Sequence, residues 1–426
     1  MSKLEELIKE FCPNGVEYKP LWSLTAWDKR FNGIDRSMQK KVVSYKYYLS
    51  SEFNEVERKD GDILYIPTGI TNEKRYTTEE LAGEYLAEGE IVCIPWGGTP
   101  NVKYHKGKFV TGDNRIATSL DTNILDNKYL YYWMQSKIDL IASFYRGAGI
   151  QHPSMKSVLE LQIPLPALPV QREIVRILDS FTLYSAELTA ELTARRKQYE
   201  FYRDKLLQAE CDVKWSTLGE ICSCITSGGT PNSSRSDYYG GNIPWLRTQE
   251  VDWSEINDTE IKITQSGYDN SSAKWIPVNC VIIAMYGATA AKVAINKIPL
   301  TTNQACCNLS VNEKIANYKY VYYWMCKEYL NLKAMGQGSQ CNINAQIIKN
   351  YKIPVPSMEV QERIVKVLDN FDAICSDLGI GLPAEIEKRQ KQYEYYREKL
   401  LTFDMKSATI LRQTDRQTDR QTDRQG

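Results

Sequence analysis

The chain has 426 residues, 42% of them apolar, and its 53 lysines and arginines are matched by 53 aspartates and glutamates. That length and composition predict two to three domains with a sizeable core, and zero net charge argues against a protein that coats nucleic acid through bulk charge alone. Eleven cysteines without a Cys-x-x-Cys and only two histidines, His105 and His152, argue against a zinc site and predict free thiols in a reducing cytoplasm.

In chain order, "MSKLEELIKEFC" opens as an amphipathic charged helix, not a signal peptide, and no apolar run reaches membrane length. The sequence therefore predicts a cytoplasmic protein with no membrane partner. "GDILYI" and "GEIVCIPW" are short strand signals ended by Pro67 and Pro95. The second leads into "PWGGT" at 95–99, a glycine turn that lets backbone approach another polymer closely, although the same residues also suit a plain turn. Next come "KYLYYWM" at 128–134, "IPLP" at 163–166 and "VQREIVRILDSF" at 170–181.

From Ile174 the apolar positions run Leu178, Phe181, Leu188, Leu192, Tyr199, Tyr202 and Leu206, spaced by alternating fours and threes, with Ser185 and Arg195 the two exceptions. That is a heptad seam, and a continuous helix over 170–207 would measure roughly 57 Å. Within it, "SAELTAELTA" at 185–194 is close to two copies of Thr-Ala-Glu-Leu.

The second half repeats these blocks in the same order. "MYGAT" at 285–289, "KYVYYWM" at 319–325, "IPVP" at 353–356, "VQERIVKVLDNF" at 360–371 and "KQYEYYREKLL" at 391–401 follow their first copies by 190 to 194 residues. The chain thus reads as a tandem duplication of a unit of roughly 190 residues, each with a variable β-rich part and a similar helical part. The second seam comprises Ile364, Leu368, Phe371, Tyr393, Tyr396 and Leu400, interrupted by "GIGLPA" at 379–384, where a break or kink is expected. An apolar seam needs a partner, so the two seams are expected to pack mainly against each other, antiparallel. The competing reading makes each an ordinary core helix of its own half.

Amides, hydroxyls, aromatics and cations cluster around the glycine loops. The first half offers Trp96, Thr99, Asn101, Lys103 and Arg115; the second offers Ser227, Gly228, Thr230, Arg235, Arg247, Gln249, Tyr286, Thr289 and Lys292. Such side chains can read base edges or hold phosphates, and they are the candidate DNA contacts. Phosphate-loop, dinucleotide, nucleophile-elbow and metalloprotease motifs are missing, so the chain reads as non-catalytic, without a cofactor or metal of its own.

Two variable domains, each followed by a similar long helix, resemble the specificity subunit of type I restriction–modification systems. "ITSGGTPNSSRSDYYGGNIPWLRTQEV" at 225–251 is the most specific stretch, while "LEELIKEFCPNGVEYKPL", "LPVQREIVRILDSF" and "KQYEFYRDKLL" are also similar to that family. The resemblance implies an α+β fold: two β-rich target-recognition domains joined by two long helices packed as an antiparallel coiled coil, with a pseudo-two-fold internal repeat. It places target-recognition domain 1 at 1–155, spacer helix region 1 at 156–210, domain 2 at 211–345 and spacer helix region 2 at 346–410. It further implies a bipartite site on double-stranded DNA, two modification subunits that bring S-adenosylmethionine, and restriction/motor subunits that add cleavage. A duplicated coiled-coil scaffold binding protein only is the alternative.

The end of the chain, "RQTDRQTDRQTDRQG", has no apolar face, and a disordered DRQT-repeat tail is expected over 411–426. A GACA repeat read in frame encodes this period, so a length-variable coding tract is a further expectation, testable by nucleotide sequencing.

Overall fold

The computed structural model describes residues 2–71, 73–208, 213–336, 342–376 and 381–403. Six helices carry the argument: α1 (Lys3–Phe11), α2 (Asn127–Ser136), α3 (Leu168–Leu206), α4 (Tyr318–Lys327), α5 (Met358–Ser376) and α6 (Leu382–Leu400). The chain divides into two compact units, Met1–Glu187 with Glu387–Gly426, and Leu188–Ile386. The fold is α+β.

In the first unit a six-stranded sheet runs in the order Thr25–Trp27, Asn114–Ser119, Ala87–Pro95, Lys103–Thr111, Ile63–Ile66 and Arg75–Thr77. "GDILYI" and "GEIVCIPW" supply two of these strands, as their β-branched pattern predicts. α1 starts with a capping box: Ser2 Oγ accepts from the Glu5 amide, and the Glu5 carboxylate accepts from the Ser2 amide. A separate antiparallel pair joins Glu17–Pro20 to Gln162–Leu165. The core gathers Leu4, Leu21, Trp27, Ile94, Tyr129, Trp133, Ile163, Val170, Ile174, Leu178 and Leu401.

The second unit holds a five-stranded sheet, Cys222–Ser227, Cys306–Val311, Val281–Ala284, Val293–Asn296 and Glu255–Ile256. A four-stranded sheet follows the order Lys262–Ile263, Tyr239–Leu246, Leu300–Thr302 and Trp275–Ile276. Trp215–Thr217 pairs antiparallel with Lys352–Pro354. Its main core includes Leu207, Leu218, Val281, Ile283, Tyr320, Trp324, Ile353, Ile364 and Leu368.

The repeated blocks have a common physical use. Gln171 is fully buried at the start of α3, where its Oε1 accepts from the Asp126 amide and its Nε2 donates to the Ile124 and Pro166 carbonyls. Gln361 on α5 is equally buried; it accepts from the Asn317 amide at 2.8 Å and donates to Pro356 O at 2.9 Å and Ile315 O at 3.4 Å. One glutamine thus satisfies the loop entering the YYWM helix and the turn leaving the IP strand. About two turns further on, Asp179 pairs with Lys128 at 2.8 Å and accepts from Tyr132 Oη at 2.6 Å. Asp369 does the same with Lys319 and Tyr323 at the same two distances. The tyrosines of the two blocks also reach the strands: Tyr129 donates to Pro164 O and Tyr320 to Pro354 O.

The seam is divided in use. Ile174, Leu178, Ile364 and Leu368 lie in the cores of the units, so the opening of each seam serves a domain core and not helix pairing alone. Later positions meet another helix: Phe181 stacks on Tyr396 in the first unit and Tyr202 on Phe371 in the second. As α3 advances from Phe181 to Tyr184, its neighbour α6 recedes from Tyr396 to Arg389, whose guanidinium lies 5.1 Å from the Tyr184 ring centre, so the two segments run in opposite directions. Leu188 is buried, whereas Leu192, Tyr199, Tyr393, Leu206 and Leu400 are half-buried. Residues 379–380 of the expected break, and the tail over 411–426, lie outside the described residues, and α6 already runs from Leu382.

Candidate nucleic-acid interface

In the first unit the strand Ala87–Pro95 delivers the loop at Trp96. Arg115, on the neighbouring strand, is buried, ion-paired to Asp113 at 3.0 Å and to Asp28 at 3.7 Å, with its guanidinium 4.2 Å from the Trp96 ring centre. Burial pushes the Asp28 carboxyl up to about 6, against the pull of the Ile116 amide and Arg115. His152 Nδ1 lies 2.8 Å from Trp96 O, with the two rings 4.9 Å apart. Asn101 Nδ2 donates to Thr68 O and Thr99 O, and Lys103 Nζ donates to Pro67 O and Thr68 O. Burial lowers the Lys103 pKa. Asn101, Lys103 and Arg115 therefore point into the protein and fix the loops at 67–69 and 96–101. Thr99 is exposed and Trp96 half-exposed. Sequence reasoning passed over Ile70 and Ile150, which are 69% and 71% exposed on adjoining loops, because an isolated apolar loop residue carries no periodic signal.

In the second unit the "SGGTP" and "IPW" elements clasp each other. A Cβ on Gly228 would sit 1.8 Å from Thr302 O, while the Gly229 amide donates to that same carbonyl at 2.9 Å. Trp245 Nε1 donates to Gly229 O at 2.9 Å, and Tyr239 Oη donates to Pro231 O at 2.7 Å. Gly228 is needed because the loop lies flat on the strand Leu300–Thr302, and Gly229 because a Cβ there would sit 2.4 Å from the Ser272 carbonyl carbon. Ser227 is half-buried at the end of its strand, and Thr230 donates its hydroxyl to Gln304.

The remaining candidates surround this clasp. Arg235 makes a bidentate pair with Asp237, both bonds 2.9 Å, over the Tyr238 ring. Arg247 reaches Glu260 at 2.9 Å and Lys292 reaches Asp252 at 2.6 Å. Thr289 Oγ1 donates to Thr248 O, which ties the loop bearing Tyr286 to the turn bearing Gln249. Both Gln249 and Tyr286 are exposed, and Gly287 beside Tyr286 has φ +82°.

Arg115, Arg235, Arg247 and Lys292 thus each hold a carboxylate of this chain, which is where the zero net charge is spent locally. The exposed pairs are each worth about 0–1 kcal/mol, so a phosphate or base edge can displace the acid at small cost. Among the described residues no group of three or more His, Cys, Asp or Glu could hold a metal ion, and no helix is long and apolar enough to cross a membrane.

Comparison with known proteins gives this geometry a family. The family model for the type I restriction modification DNA specificity domain matches residues 43–195 and again 211–388. The chain is 39% identical over 367 residues to the Escherichia coli type I restriction enzyme EcoR124I/EcoR124II specificity subunit, covering 82% of this chain and 90% of that protein. It is 29% identical over 341 residues to a putative type I restriction enzyme specificity subunit of Haemophilus influenzae, covering 75% and 84% of the two chains. Its fold is similar to the crystal structure of a type I restriction–modification S subunit from M. genitalium, with TM-score 0.58 at 18% identity over 92% of this chain and 97% of that one. The two matched segments between them cover most of the sequence, and the chain belongs to the type I restriction–modification DNA specificity family.

Proposed function

We propose that this chain is the specificity subunit of a type I restriction–modification complex, a non-catalytic protein that binds double-stranded DNA and selects its target. Residues 1–155 and 211–345 act as target-recognition domains, each reading one half of a bipartite site. Trp96 and Thr99 in the first, and Gln249, Tyr286 and the exchangeable pairs of Arg235, Arg247 and Lys292 in the second, are the side chains assigned to DNA. Ser227, Gly228, Thr230, Thr289, Asn101, Lys103 and Arg115 position the loops. The helical regions 156–210 and 346–410 form an antiparallel coiled-coil spacer within a pseudo-two-fold repeat. Two modification subunits dock on the chain and bring S-adenosylmethionine and methylation, and restriction/motor subunits add cleavage.

The observation that carries this reading is the shared anchoring of two unlike loop systems: each stands on a helix start fixed by the same buried glutamine and the same aspartate–tyrosine–lysine group. That arrangement holds two different readers on one repeated mount. The test is methylome mapping of cells with and without the gene. The reading expects a split methylated motif that requires the gene, and replacement of residues 225–340 by the corresponding domain of a relative should change one half of it. A complex that assembles but has no DNA affinity would favour the protein-only scaffold.

A further inference from the structure

In the first unit a short antiparallel ribbon, Tyr145–Arg146 with His152–Pro153, ends in a turn over 147–151. Every residue from 146 to 152 is exposed, and the large apolar side chain of the turn is Ile150. A single exposed isoleucine is ordinary on a protein surface, but this one is held in place. Tyr145 Oη donates to Pro95 O at 2.8 Å, His152 Nδ1 donates to Trp96 O at 2.8 Å, and the Gly98 amide donates to Gln151 O at 3.3 Å. A Cβ on Gly97 would lie 2.7 Å from Ile150 Cγ2, and one on Gly147, whose φ is +141°, would lie 2.9 Å from Ile150 O. Two glycines thus make room for Ile150, one against its side chain and one against its backbone. The turn and the Trp96 loop are fastened into one surface, and Ile150 stands out of it.

The surroundings suit a nucleic acid. Arg146, at the base of the turn, is exposed and has no ion pair among the described residues, unlike Arg115, Arg235 and Arg247, so it is free to meet a phosphate. The sequence writes the same frame twice: Gly147, Gly149 and Gln151 return 189 residues later as Gly336, Gly338 and Gln340, while Ile150 is replaced by Ser339. The residues that frame the turn are repeated and the residue between them differs, as expected of a position that reads. A two-stranded ribbon fits the major groove of DNA, where thymine alone among the four bases presents a methyl group. Isoleucine has no donor or acceptor, so that methyl is the base feature it can favour.

We infer that Ile150 is a specificity-determining residue that packs on the C5 methyl group of a thymine in the half-site read by the first unit. The inference rests on the proposed reading of residues 1–155 as a target-recognition domain and adds the base feature that this domain selects. Ile150 supplies discrimination by apolar contact, Arg146 supplies attraction without sequence preference, and Gly97 with Gly147 keeps the isoleucine at a fixed height above the Trp96 loop.

The experiment starts from the mapped motif, with the first half-site identified as the one that replacement of residues 225–340 leaves unchanged. The full chain, in complex with its modification subunits, is titrated by fluorescence anisotropy with duplexes in which each thymine of that half-site, on either strand, is replaced in turn by deoxyuridine, which lacks only the methyl group. One replacement should weaken wild-type binding about fourfold, the value of one buried methyl group. Ile150→Ala should lose a similar factor on the thymine duplex and be indifferent to that same replacement. The position is exposed, so thermal melting of the variant should match wild type; if it does not, the wild-type series decides alone. A first half-site without thymine on either strand, or a wild type indifferent to every replacement, overturns the inference. So does an Ile150→Ala chain that binds more weakly but keeps its sensitivity to deoxyuridine, a result that points to a wedge between base pairs. Absence of any split motif is a different result, and it sinks the proposed function itself.

Discussion

Tyr132 donates its hydroxyl hydrogen to Asp179 at 2.6 Å, and through this bond the YYWM helix is locked to the helix that leaves the domain. Burial, with the Asp179 carboxylate second, drives the Tyr132 hydroxyl to a pKa well above its usual value, so the proton stays on the tyrosine. Tyr132→Phe removes the donor but leaves Asp179 its Lys128 partner, at an expected cost of about 1 kcal/mol; Gln171→Ala removes the partner of three backbone groups, one buried and two part-buried, and should cost more, about 2–3 kcal/mol. Urea unfolding of the two variants measures the difference, and a larger loss in Tyr132→Phe would reverse the ranking of the two anchors.

Gly228→Ala places a methyl group against the Thr302 carbonyl, which is backbone and cannot rotate away. The "SGGTP" loop must then lift off the strand and lose the Gly229 and Trp245 bonds, at an expected cost of about 2–4 kcal/mol. Differential scanning calorimetry should show the second unit destabilised and footprinting should show weaker protection of one half-site. Equal loss at both half-sites would contradict the assignment of one reader to each unit.

Asp28 makes the first unit sensitive to pH. Its folded pKa, about 6, lies above the ordinary 3.8, so between these values the folded protein holds a proton that the unfolded chain has released. Stability therefore rises as pH falls through 6 toward 4 and is lost again as pH climbs, by about 3 kcal/mol in all. Asp28→Asn should flatten this part of the profile. Urea midpoints near roughly pH 5 and pH 7.5 measure it, and an identical slope in the variant would assign the dependence to another group.

One more Thr-Ala-Glu-Leu after Leu192 adds about 6 Å of helix and little more than one full turn. Methylome mapping should then find the same bases in both half-sites with a longer gap between them. An unchanged gap would remove α3 from the role of spacer.

The duplication was readable because its blocks are nearly identical in sequence, yet their purpose was not. Gln171 and Gln361 fall three residues before Ile174 and Ile364, at the next seam position back, where a polar residue reads as the end of the apolar stripe although both are fully buried. The seam itself was legible as apolar spacing, but Ile174 and Leu178 have the same spacing whether they meet a domain core or another helix, and the core receives them. The candidate cations were visible as residue types only. Whether each is free depends on an acid brought beside it by folding: Glu260 for Arg247, Asp252 for Lys292, Asp28 with Asp113 for Arg115. Asp237, two residues after Arg235, and Asp113, two residues before Arg115, could have been anticipated along the chain.

The antiparallel pairing of Glu17–Pro20 with Gln162–Leu165 has an evolutionary consequence. Paired strands lie about 4.8 Å apart, so the polypeptide enters and departs the first reader at neighbouring points. Everything between Leu21 and Leu161 hangs from that two-stranded handle like a cassette on a clip. Recombination within the two short coding segments can replace the whole cassette in one event while the mount keeps its shape, and the pairing of Trp215–Thr217 with Lys352–Pro354 offers the same exchange in the second unit. New target preferences can then arise by shuffling intact readers, without waiting for point mutations to rebuild one.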